Sequence, residues 1–575
     1  MDNLAIARVL AEIGDLLEIK GENPFKIRAY RNASETIAHS PERIADLTPE
    51  RRLAIPGIGR DLAAKIAELL DTGAIAYHQG LLQEFPPTVL DMLHLQGVGP
   101  KTVAMLHREL QILSLDDLER AARDGRLRGL KGMGAKKEAQ ILKALEERSR
   151  FTGRRLLAEA HDTAADLVSA LREHAPQAEI VAVGSLRRGC ETCGDLDILA
   201  AGAPQDLMSA FTSYKLVERV IAHGETKSSV LLFGGFQADL RLVPRESLGA
   251  ALQYFTGSKA HNIALRDRAI QRGFKLNEYG LYRDDGTVVA SASEEAIYEA
   301  LGLAFIPPEL RENRGEFEAA QSGTLPRLIT PVDLRGDLHM HTTATDGRAD
   351  VETMARTARD SGLSYIAIAD HSQSLALANG LDEHRALEHA RRIRELNGRL
   401  DGITLLAGIE CDIRPDGTMD LAEDCLAQLD IVVASVHSAF NQEESQMTDR
   451  ILRAIACPWV DVIGHPAGRL ILKRDGYKLN MERVIAAAAE TGVALEINSQ
   501  IDRLDLDEHH ARLARDRGVK LVIDSDAHSP QALGGRRWGV VIARRAWLTP
   551  DDVLNTRPID EFKASLRRRR SAGGL

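Results

Sequence analysis

The feature that most restricts the fold is a series of short apolar segments in the C-terminal part of this 575-residue chain. Each segment is apolar and bounded by a stretch with helical periodicity, which is the pattern of strands that alternate with helices. Such repetition over residues 333–575 predicts a barrel of parallel strands surrounded by helices. The segments are YIAIAD, TLLAGIE, IVVASVH, VDVIGH, VALEINS and KLVIDSD.

Residues that commonly bind metal ions stand at or near the C-terminal ends of these predicted strands. In a parallel barrel those ends meet at one face, where the chemistry of such folds takes place. Mixed imidazole and carboxylate ligands suit Zn²⁺, Mn²⁺ or iron. The set exceeds what one ion needs, and its size fits three divalent ions. The nine residues are His339, His341, Asp346, His371, Glu410, His437, His465, Asp526 and His528.

Three aspartates in the middle of the chain predict a second metal centre. Asp195 and Asp197 stand two apart in the strand-like segment GDLDILAA, so their side chains share one face. Asp239 lies in a second such segment, FQADLRLVP, and can complete the group. Three carboxylates can hold two divalent ions about 4 Å apart. Hard oxygen ligands beside phosphates suit Mg²⁺ or Mn²⁺, so we expect these aspartates to be catalytic.

A glycine-rich segment with two arginines, GSLRRG, begins at Gly184, upstream of the paired aspartates. Its backbone amides, the Ser185 hydroxyl and the Arg188 guanidinium are groups that bind phosphates. Gly194 directly precedes the first aspartate. Together with the D-x-D that follows, the segment predicts a binding site for a nucleoside triphosphate.

A short glycine pattern occurs three times in residues 1–150, and each copy precedes a helical stretch. The glycines permit a tight turn, and the free amides of the following helix attract phosphate. These elements resemble helix-hairpin-helix motifs, which contact a DNA backbone without reading its sequence. The six glycines expected to bind DNA are Gly57, Gly59, Gly97, Gly99, Gly132 and Gly134.

Composition excludes several other classes of protein. The net charge is −11, and residues 1–150 hold 22 Lys and Arg against 22 Asp and Glu, so any DNA contact must come from local groups. No apolar run reaches the roughly 18–20 residues that span a membrane. Five cysteines do not make a disulfide framework, and the single CxxC of Cys190 and Cys193 lacks the second pair of a zinc site. We expect a cytoplasmic, nucleoid-associated monomer without membrane contact.

The middle of the chain resembles the family X DNA polymerases, of which DNA polymerase beta is a member. The resemblance is carried by GSLRRG, by the aspartates, and by the segment YFTGS from Tyr254 with Asn262 and Arg266. It implies that Tyr254 and Phe255, followed by Gly257, flank the sugar of an incoming deoxynucleoside triphosphate. It also implies that Asn262 lies at the minor-groove edge of the base and that Arg266 lies near the template.

The N-terminal segment NPFKIRAY, together with Lys65, resembles the small lyase domain of the same family. In that family a lysine at this position forms a Schiff base with an abasic sugar, which requires a lowered pKa of the amine. Asp61 is acidic where such a lyase would favour a basic group. A solvated or phosphate-binding lysine therefore remains an alternative to the lyase interpretation.

The histidine-rich series resembles the PHP (polymerase and histidinol phosphatase) domain, a phosphoesterase fold built as a distorted (β/α)7 barrel. All nine ligand positions of that family are filled, and Arg469 follows closely enough to clamp a substrate phosphate. The resemblance implies one ion on His339, His341, Glu410 and Asp526, a second on Glu410, His437 and His465, and a third on Asp346, His371 and His528.

These features predict a multidomain α+β protein. The expected parts are a helical lyase-like domain with a helix-hairpin-helix (1–85), fingers with a helix-hairpin-helix (86–150), a nucleotidyltransferase palm (151–245), a thumb for nucleotide selection (246–315), a linker (316–332) and a PHP barrel (333–575).

The expected function is short-gap filling on gapped or nicked DNA in base excision repair, by two-metal nucleotidyl transfer from deoxynucleoside triphosphates. The barrel would add a 3′-to-5′ exonuclease, with abasic-site endonuclease or 3′-phosphatase activity as further candidates. One alternative is a nuclease or phosphoesterase whose polymerase module only docks DNA. Others are a phosphatase acting on a small phosphate ester and a non-enzymatic DNA-end scaffold.

Overall fold

Contacts in the computed structural model divide the chain into two compact units, Met1–Thr152 and Gly153–Leu575. Within the described ranges no helix is long and apolar enough to cross a membrane. Gly97, one of the six predicted DNA-binding glycines, lies outside those ranges. The structure describes residues 3–38, 44–55, 57–85, 87–95, 98–130, 132–151 and 153–566.

The first unit is helical, as its glycine-punctuated sequence predicts. In its described part the α-helices are α1 (Asn3–Lys20), α2 (Pro24–Ala38), α3 (Pro49–Leu53), α4 (Arg60–Thr72), α5 (Ala76–Glu84), α6 (Pro87–Asp91), α7 (Pro100–Leu110), α8 (Leu115–Arg123) and α9 (Ala135–Phe151). Buried Ile6, Leu10, Ile13 and Leu17 recur in α1 at spacings of three and four. They form one apolar face, and α1 packs against α2.

Each predicted glycine hairpin leads into a helix. Gly57 and Gly132 adopt positive φ values of 83° and 82°, a conformation that a side chain disfavours. Gly59 and Gly99 are the N-caps of α4 and α7, and neither helix has a side-chain cap. Gly134 directly precedes α9. First-turn amides without a side-chain cap are the groups that the phosphate-binding hypothesis needs.

The second unit begins with the palm, a five-stranded sheet in the order β2-β4-β7-β6-β5. Strands β4 and β7 are parallel, and the other pairs are antiparallel. The chain before Arg188 forms a short strand followed by a helix, because Gly184 turns the chain with a φ of 64°. The elements are β1 (Arg155–Leu156), α10 (Leu157–His174), β2 (Glu179–Ala182), α11 (Gly184–Arg187), β3 (Thr192–Cys193), β4 (Asp195–Ala201), α12 (Leu207–Thr212), β5 (Val217–His223), β6 (Lys227–Leu232) and β7 (Phe236–Val243).

The thumb follows the palm and combines helices with a three-stranded sheet in the order β10-β9-β8. Its core includes Leu265, Tyr298 and Phe317. Its elements are α13 (Leu248–Thr256), α14 (Lys259–Gln271), β8 (Phe274–Asn277), β9 (Gly280–Arg283), β10 (Val288–Ala290), α15 (Glu294–Ala300) and α16 (Glu316–Ser322).

The linker predicted at 316–332 is wrong for its first part, since α16 occupies it. Phe317 is 1% exposed, and its ring stacks on His261 with centroids 4.6 Å apart. Glu316 is also buried and lies 2.7 Å from Nδ1 of His261. Glycines and polar residues suggested a loop, but Gly315 and Gly323 flank the helix as its N-cap and C-cap, both with positive φ.

The remainder of the chain is a parallel seven-stranded barrel whose strands follow one another in chain order. A bridge between Met340 and Ala527, which follow the first and last strands, nearly closes it. All six predicted strands are confirmed, and a short first strand precedes them. The strands are β11 (Gly336–Asp337), β12 (Tyr365–Ile368), β13 (Thr404–Asp412), β14 (Ile431–Ser435), β15 (Val462–Ile463), β16 (Ala494–Asn498) and β17 (Leu521–Asp524).

Helices follow the barrel strands, as the alternating pattern predicts. The barrel interior is apolar, with Leu338, Ala367, Leu406 and Val433 among its buried residues. The helices are α17 (Val351–Asp360), α18 (Glu383–Asn397), α19 (Glu423–Leu426), α20 (Glu444–Ala456), α21 (Met481–Thr491), α22 (Glu508–Asp516), α23 (Arg536–Arg545) and α24 (Ile559–Ser565).

Replacing Phe317 by alanine tests whether α16 belongs to the thumb core. Loss of a fully buried aromatic side chain should lower the free energy of unfolding by about 3–5 kcal/mol. Chemical denaturation, together with hydrogen exchange of residues 316–322, measures the effect. Val332, 89% exposed in the same predicted linker, provides the control, and Val332→Ala should leave both measurements unchanged. Equal behaviour of the two variants would restore the linker interpretation.

Candidate active sites

The palm sheet brings its three predicted catalytic aspartates together. Asp197 of β4 and Asp239 of β7 are partners in the parallel register, and Asp195 shares the face of Asp197. Burial, with the charges of Asp195 and Asp239, raises the pKa of Asp197 to about 6. Three carboxylates held this closely on adjacent strands are an unfavourable arrangement that divalent cations relieve.

Asp239 has the most hydrogen-bond partners of the three. Its Oδ2 lies 2.6 Å from Nζ of Lys227, and its Oδ1 accepts a 3.0 Å hydrogen bond from Gln237. Burial alone would raise its pKa, but hydrogen bonds from Lys227, Gln237 and Ser229 lower it below the ordinary value. The β6 lysine therefore keeps this carboxylate ionised beside its neighbours. The sequence analysis missed Lys227, whose only signal is a basic residue at the start of a strand.

The glycine-rich turn lies against the paired aspartates. A Cβ on Gly184 would stand 2.5 Å from Oδ2 of Asp197, so only glycine fits beside the carboxylate. The side chain of Ser185 hydrogen-bonds the thiol of Cys193. Gly194 lies on the surface between that cysteine and Asp195. The turn thus places backbone amides next to the carboxylates, as a triphosphate site would require.

Both arginines of the turn are held by the thumb. Arg187 pairs with Glu294 at 2.6 Å and donates to Thr256 Oγ1. Arg188, the predicted triphosphate ligand, donates from Nε to Glu312 at 2.9 Å and from Nη1 to the Thr256 carbonyl at 2.8 Å. These contacts join palm to thumb at the turn, and the role of Arg188 in nucleotide binding stays a prediction.

The thumb residues predicted to select the nucleotide are close to one another at the end of α13. The rings of Tyr254 and Phe255 meet edge to face with centroids 5.1 Å apart. Asn262 donates to the carbonyls of Tyr254 (2.7 Å) and Gly257 (3.1 Å). A Cβ on Gly257 would overlap the Asn262 side chain, so the glycine allows this contact. Arg266 lies one turn further along α14 and is exposed.

The barrel gathers the nine predicted metal ligands into one cluster. In the described part of the chain, three groups have candidate ligand atoms within 4.8 Å of one another. The three residues predicted for the third ion lie together in one of these groups, which also contains His341. The groups are His341, Asp346, His371 and His528; His339, His341 and Asp526; and His371, Glu410 and His437.

Glu410, at the C-terminal end of β13, is the centre of this cluster. Its Oε1 lies 3.0 Å from Nε2 of His465 and 3.3 Å from Nε2 of His437. Its Oε2 lies 2.7 Å from Nδ1 of His371. Its Oε1 is also 3.3 Å from Nε2 of His339. His371, predicted for a different ion, therefore also approaches the shared carboxylate, and the assignment of ligands to separate ions stays a prediction.

The donor atoms of the cluster fit divalent cations. The approach of His371 Nδ1 to Glu410 Oε2 lacks hydrogen-bond geometry. Among the described residues, both atoms are buried without a hydrogen-bond partner, as are Nε2 of His339 and Nδ1 of His341. Such atoms are costly to leave unpaired in a protein interior. Imidazole nitrogens and carboxylate oxygens converging on common points are the ligand set of a transition-metal site. The barrel is therefore a site for divalent metal ions.

Two of the predicted metal ligands have a strained backbone conformation. His465 and Asp526 have positive φ values of 28° and 50°, which residues other than glycine rarely adopt. Asp526 is further held by Asn498, whose Nδ2 donates to its Oδ2 at 3.0 Å. Strain of this kind persists where the surrounding structure fixes a functional side chain.

Carboxylates behind the cluster orient two of the histidines. Glu496 of β16 is fully buried, and its Oε1 lies 2.7 Å from Nδ1 of His339. Asp412 of β13 lies at the same distance from Nδ1 of His437. Such partners set the tautomer of a ligating histidine and raise its basicity. The sequence analysis missed both, although an acidic residue inside an apolar strand, as in VALEINS, is the signal that could have found Glu496.

The structure uses Arg469, the predicted phosphate clamp, in another way. Its Nη2 lies 2.7 Å from Glu191 of the palm, and its side chain donates to the carbonyls of Arg503 and Leu504. These contacts join the barrel to the palm through Nε and Nη2 of Arg469, and its role as a phosphate clamp stays a prediction. Arg503 instead approaches the cluster, with Nε 4.0 Å from Oδ2 of Asp526.

In the first unit, Lys65 forms an ion pair with Asp61 one helical turn away. Its Nζ also lies 5.5 Å from the centroid of the Tyr77 ring. The amine is therefore in contact with a carboxylate and an aromatic ring. The lyase role and the alternative of a solvated or phosphate-binding lysine both stay predictions.

Cys190 and Cys193 take no part in a metal group among the described residues. Burial raises the pKa of both thiols, that of Cys193 to about 11. They remain protonated at neutral pH, as two incidental thiols would.

Family models match the chain in five segments whose order agrees with the fold. The matches are a helix-hairpin-helix domain (residues 1–75), a SAM-like helix-hairpin-helix tandem (89–147), the DNA polymerase beta palm (157–232), the DNA polymerase beta thumb (251–312) and the PHP domain (337–500).

One curated relative matches nearly the whole chain, and others match about two fifths of it. Over 567 residues the chain is 37% identical to the DNA polymerase/3′-5′ exonuclease PolX of Bacillus subtilis (strain 168), covering 98% of this chain and 99% of that protein. A probable phosphatase of Thermoanaerobacter sp. (strain X514) is 31% identical over 250 residues, 41% of this chain and 97% of its own length. One from Shewanella sediminis is 33% identical over 232 residues, 39% and 89% respectively.

Palm, thumb and barrel together define a nucleotidyltransferase joined to a metal-dependent phosphoesterase. With a relative matched over nearly its whole length, the chain belongs to the bacterial family X DNA polymerases that carry a C-terminal PHP domain.

Replacing Asp197 by asparagine should stabilise the metal-free protein. Folding raises the pKa of this carboxyl from 3.8 to about 6. The folded protein therefore becomes less stable as the pH rises through that window, and the full loss of stability is reached above it. Asparagine avoids the cost, so the Tm difference from wild type should be near zero below pH 4 and positive above pH 6. Thermal unfolding in chelator measures it. Glu173→Gln, at an exposed carboxylate, is the control, and a pH-independent difference would contradict the argument.

Mn²⁺ should stabilise the metal-free protein, prepared with a chelator, more at pH 8 than at pH 6.5. Burial alone would lower the pKa of His371 and His437, but Glu410 and further carboxylates raise these values to about 10 and about 9. Metal must displace these protons, so its affinity rises with pH. At 100 times Kd the gain is about 2.7 kcal/mol.

Thermal unfolding and elemental analysis test this prediction. His341→Ala should reduce both the Tm gain and the bound metal, whereas His509→Ala, at an exposed histidine, should change neither. An equal response of the two variants would place the metal elsewhere.

Proposed function

We propose that this protein fills short gaps in DNA during base excision repair and trims 3′ ends with its barrel. As a member of its family, it is a DNA polymerase with a 3′-to-5′ exonuclease. The observation that carries the polymerase part is the register that places Asp197 opposite Asp239, with Asp195 on the same face and Gly184 against them.

Synthesis would proceed by two-metal nucleotidyl transfer on gapped or nicked DNA, with deoxynucleoside triphosphates as substrates. Asp195, Asp197 and Asp239 would hold Mg²⁺ or Mn²⁺, which activates the primer hydroxyl and stabilises the phosphate charge. The amides of the turn at Gly184 and Ser185 would bind the triphosphate. Glycine hairpins of the first unit would contact the DNA backbone through their amides. The protein would act as a monomer on the nucleoid.

In the barrel, the nine-residue cluster would hold three divalent ions chosen from Zn²⁺, Mn²⁺ and iron, which supply activated water for phosphoester hydrolysis. Glu496 and Asp412 orient His339 and His437 for this role. The similarity to probable phosphatases that span about two fifths of the chain favours 3′-phosphate removal as a second barrel activity.

A substitution in the palm and one in the barrel should each remove one activity and leave the other, either primer extension or the 3′-to-5′ exonuclease. Asp195→Ala should lower primer extension on a one-nucleotide gap by about a thousandfold, since metal stabilisation contributes several kcal/mol. The same variant should keep its 3′-to-5′ exonuclease. His339→Ala should lose the exonuclease and keep extension, because the two clusters use different residues. Both assays, run on each variant with Mg²⁺ and Mn²⁺, measure this.

The assay also decides between the proposed function and its main alternative. If the palm only docks DNA, the wild-type protein extends no primer and Asp195→Ala changes nothing. Intact extension by Asp195→Ala would remove this residue from the catalytic group.

A further inference from the structure

The phosphate-binding turn of the palm rests on a helix of the barrel. Gly189 has a φ of 69°, and a Cβ at this position would overlap Cγ1 of Val541 in α23. Leu186 of the same turn packs against the apolar cores of both the palm and the barrel. The backbone of the turn is therefore held at van der Waals distance by a domain that carries a different activity.

Arg545, the last residue of α23, connects the barrel to this turn electrostatically. Its side chain is only 4% exposed, and its Nη1 donates to the carbonyl of Arg188 at 2.8 Å. Its Nη2 lies 3.1 Å from Oε1 of Glu312 in the thumb. Its guanidinium also pairs with Glu508 of α22 at 2.5 and 2.6 Å. One buried arginine thus contacts palm, thumb and barrel.

Glu312 is shared between this arginine and Arg188. The same Oε1 accepts from Nε of Arg188 and from Nη2 of Arg545. Both side chains of the Arg188–Glu312 pair are largely shielded, with 14% and 16% exposed. Nη1 of Arg188 is held by the Thr256 carbonyl, whereas its Nη2 has no hydrogen-bond partner among the residues that the structure describes. The guanidinium is therefore fixed in orientation, but its Nη2 nitrogen remains available as a hydrogen-bond donor.

The carboxylate of Glu312 is shared between two shielded guanidinium groups, those of Arg188 and Arg545. Glu508 pairs with Arg545 and with Arg314, whose side chain is half exposed. Because Arg545 takes part of the charge of Glu312, that carboxylate neutralises Arg188 incompletely. Within a shielded site such a difference affects anion binding far more than it would at an open surface.

We propose that Arg545 and Glu312 are positioning residues for the polymerase reaction: Glu312 orients Arg188, and Arg545 draws charge from Glu312 so that Arg188 stays available to the triphosphate of the incoming nucleotide. The barrel is then part of the nucleotide-binding site as well as a separate enzyme. This inference rests on the proposed polymerase function.

Arg545→Ala tests the proposal, because it leaves Glu312 with Arg188 as its remaining arginine partner. The KM for the deoxynucleoside triphosphate in single-nucleotide gap filling should rise about tenfold, as expected when one charge-assisted hydrogen bond to phosphate is weakened. The kcat and the exonuclease rate should change by less than about twofold. Arg545→Lys keeps the charge without the fork and should give an intermediate KM.

Arg544→Ala is the matched control. Arg544 is the neighbouring residue of α23 and also ties the barrel to the thumb, through Glu309 at 2.7 Å and the Ile329 carbonyl at 3.0 Å, without reaching Arg188. Its loss should lower the Tm but leave the KM unchanged. A KM that rises equally in both variants would reduce Arg545 to a domain contact, and an unchanged KM in Arg545→Ala would overturn the proposal.

Two further readouts keep the outcome decisive. Equilibrium binding of the triphosphate to the wild type and to Arg545→Lys needs no turnover and gives the answer if Arg545→Ala does not fold; equal affinities would count against the proposal. A wild-type protein that binds triphosphate but extends no primer would refute the proposed function, and the comparison of affinities would still decide the role of Arg545.

Discussion

The carboxylate of Glu410 is the interaction on which the barrel site depends. It is buried, and imidazole nitrogens of His339, His371, His437 and His465 approach it within 3.3 Å. A charge in such a place needs compensation, because the low dielectric of the interior strengthens every unbalanced interaction. Metal ions between these groups would supply it, and the strand ends of the barrel bring the groups to one place. The strained backbone at His465 and Asp526 serves the same convergence.

The palm shows the same physics at a more open site. Parallel strands place Asp197 and Asp239 side by side. Burial and the neighbouring carboxylates raise the pKa of Asp197, whereas hydrogen bonds led by Lys227 outweigh burial and lower that of Asp239. A glycine stands beside the pair because no Cβ fits there. Both centres therefore bring carboxylates together in a way that bound divalent cations would stabilise.

The domains that carry the two centres are joined by apolar packing and by ion pairs. Palm, thumb and barrel form one compact unit, and Leu156, Leu157 and Ala158 of the palm lie in the apolar core of the barrel. Arg469 and Arg545 add ion pairs from the barrel to Glu191 and Glu312. Arg545 also donates to the carbonyl of Arg188, so a barrel side chain contacts the backbone of the glycine-rich turn.

The sequence by itself determined which residues can do chemistry and on which elements they lie. Residues two apart in a strand share a face, which put Asp195 and Asp197 together. The C-terminal ends of the barrel strands placed its histidines and carboxylates. Both rules are local and follow from backbone geometry. Only the tertiary structure decided how distant segments meet. It brought His371 to Glu410, placed Glu496 behind His339, turned Arg469 toward the palm and packed α16 into the thumb. Such contacts depend on the packing of whole elements against each other, which no local pattern of residues records.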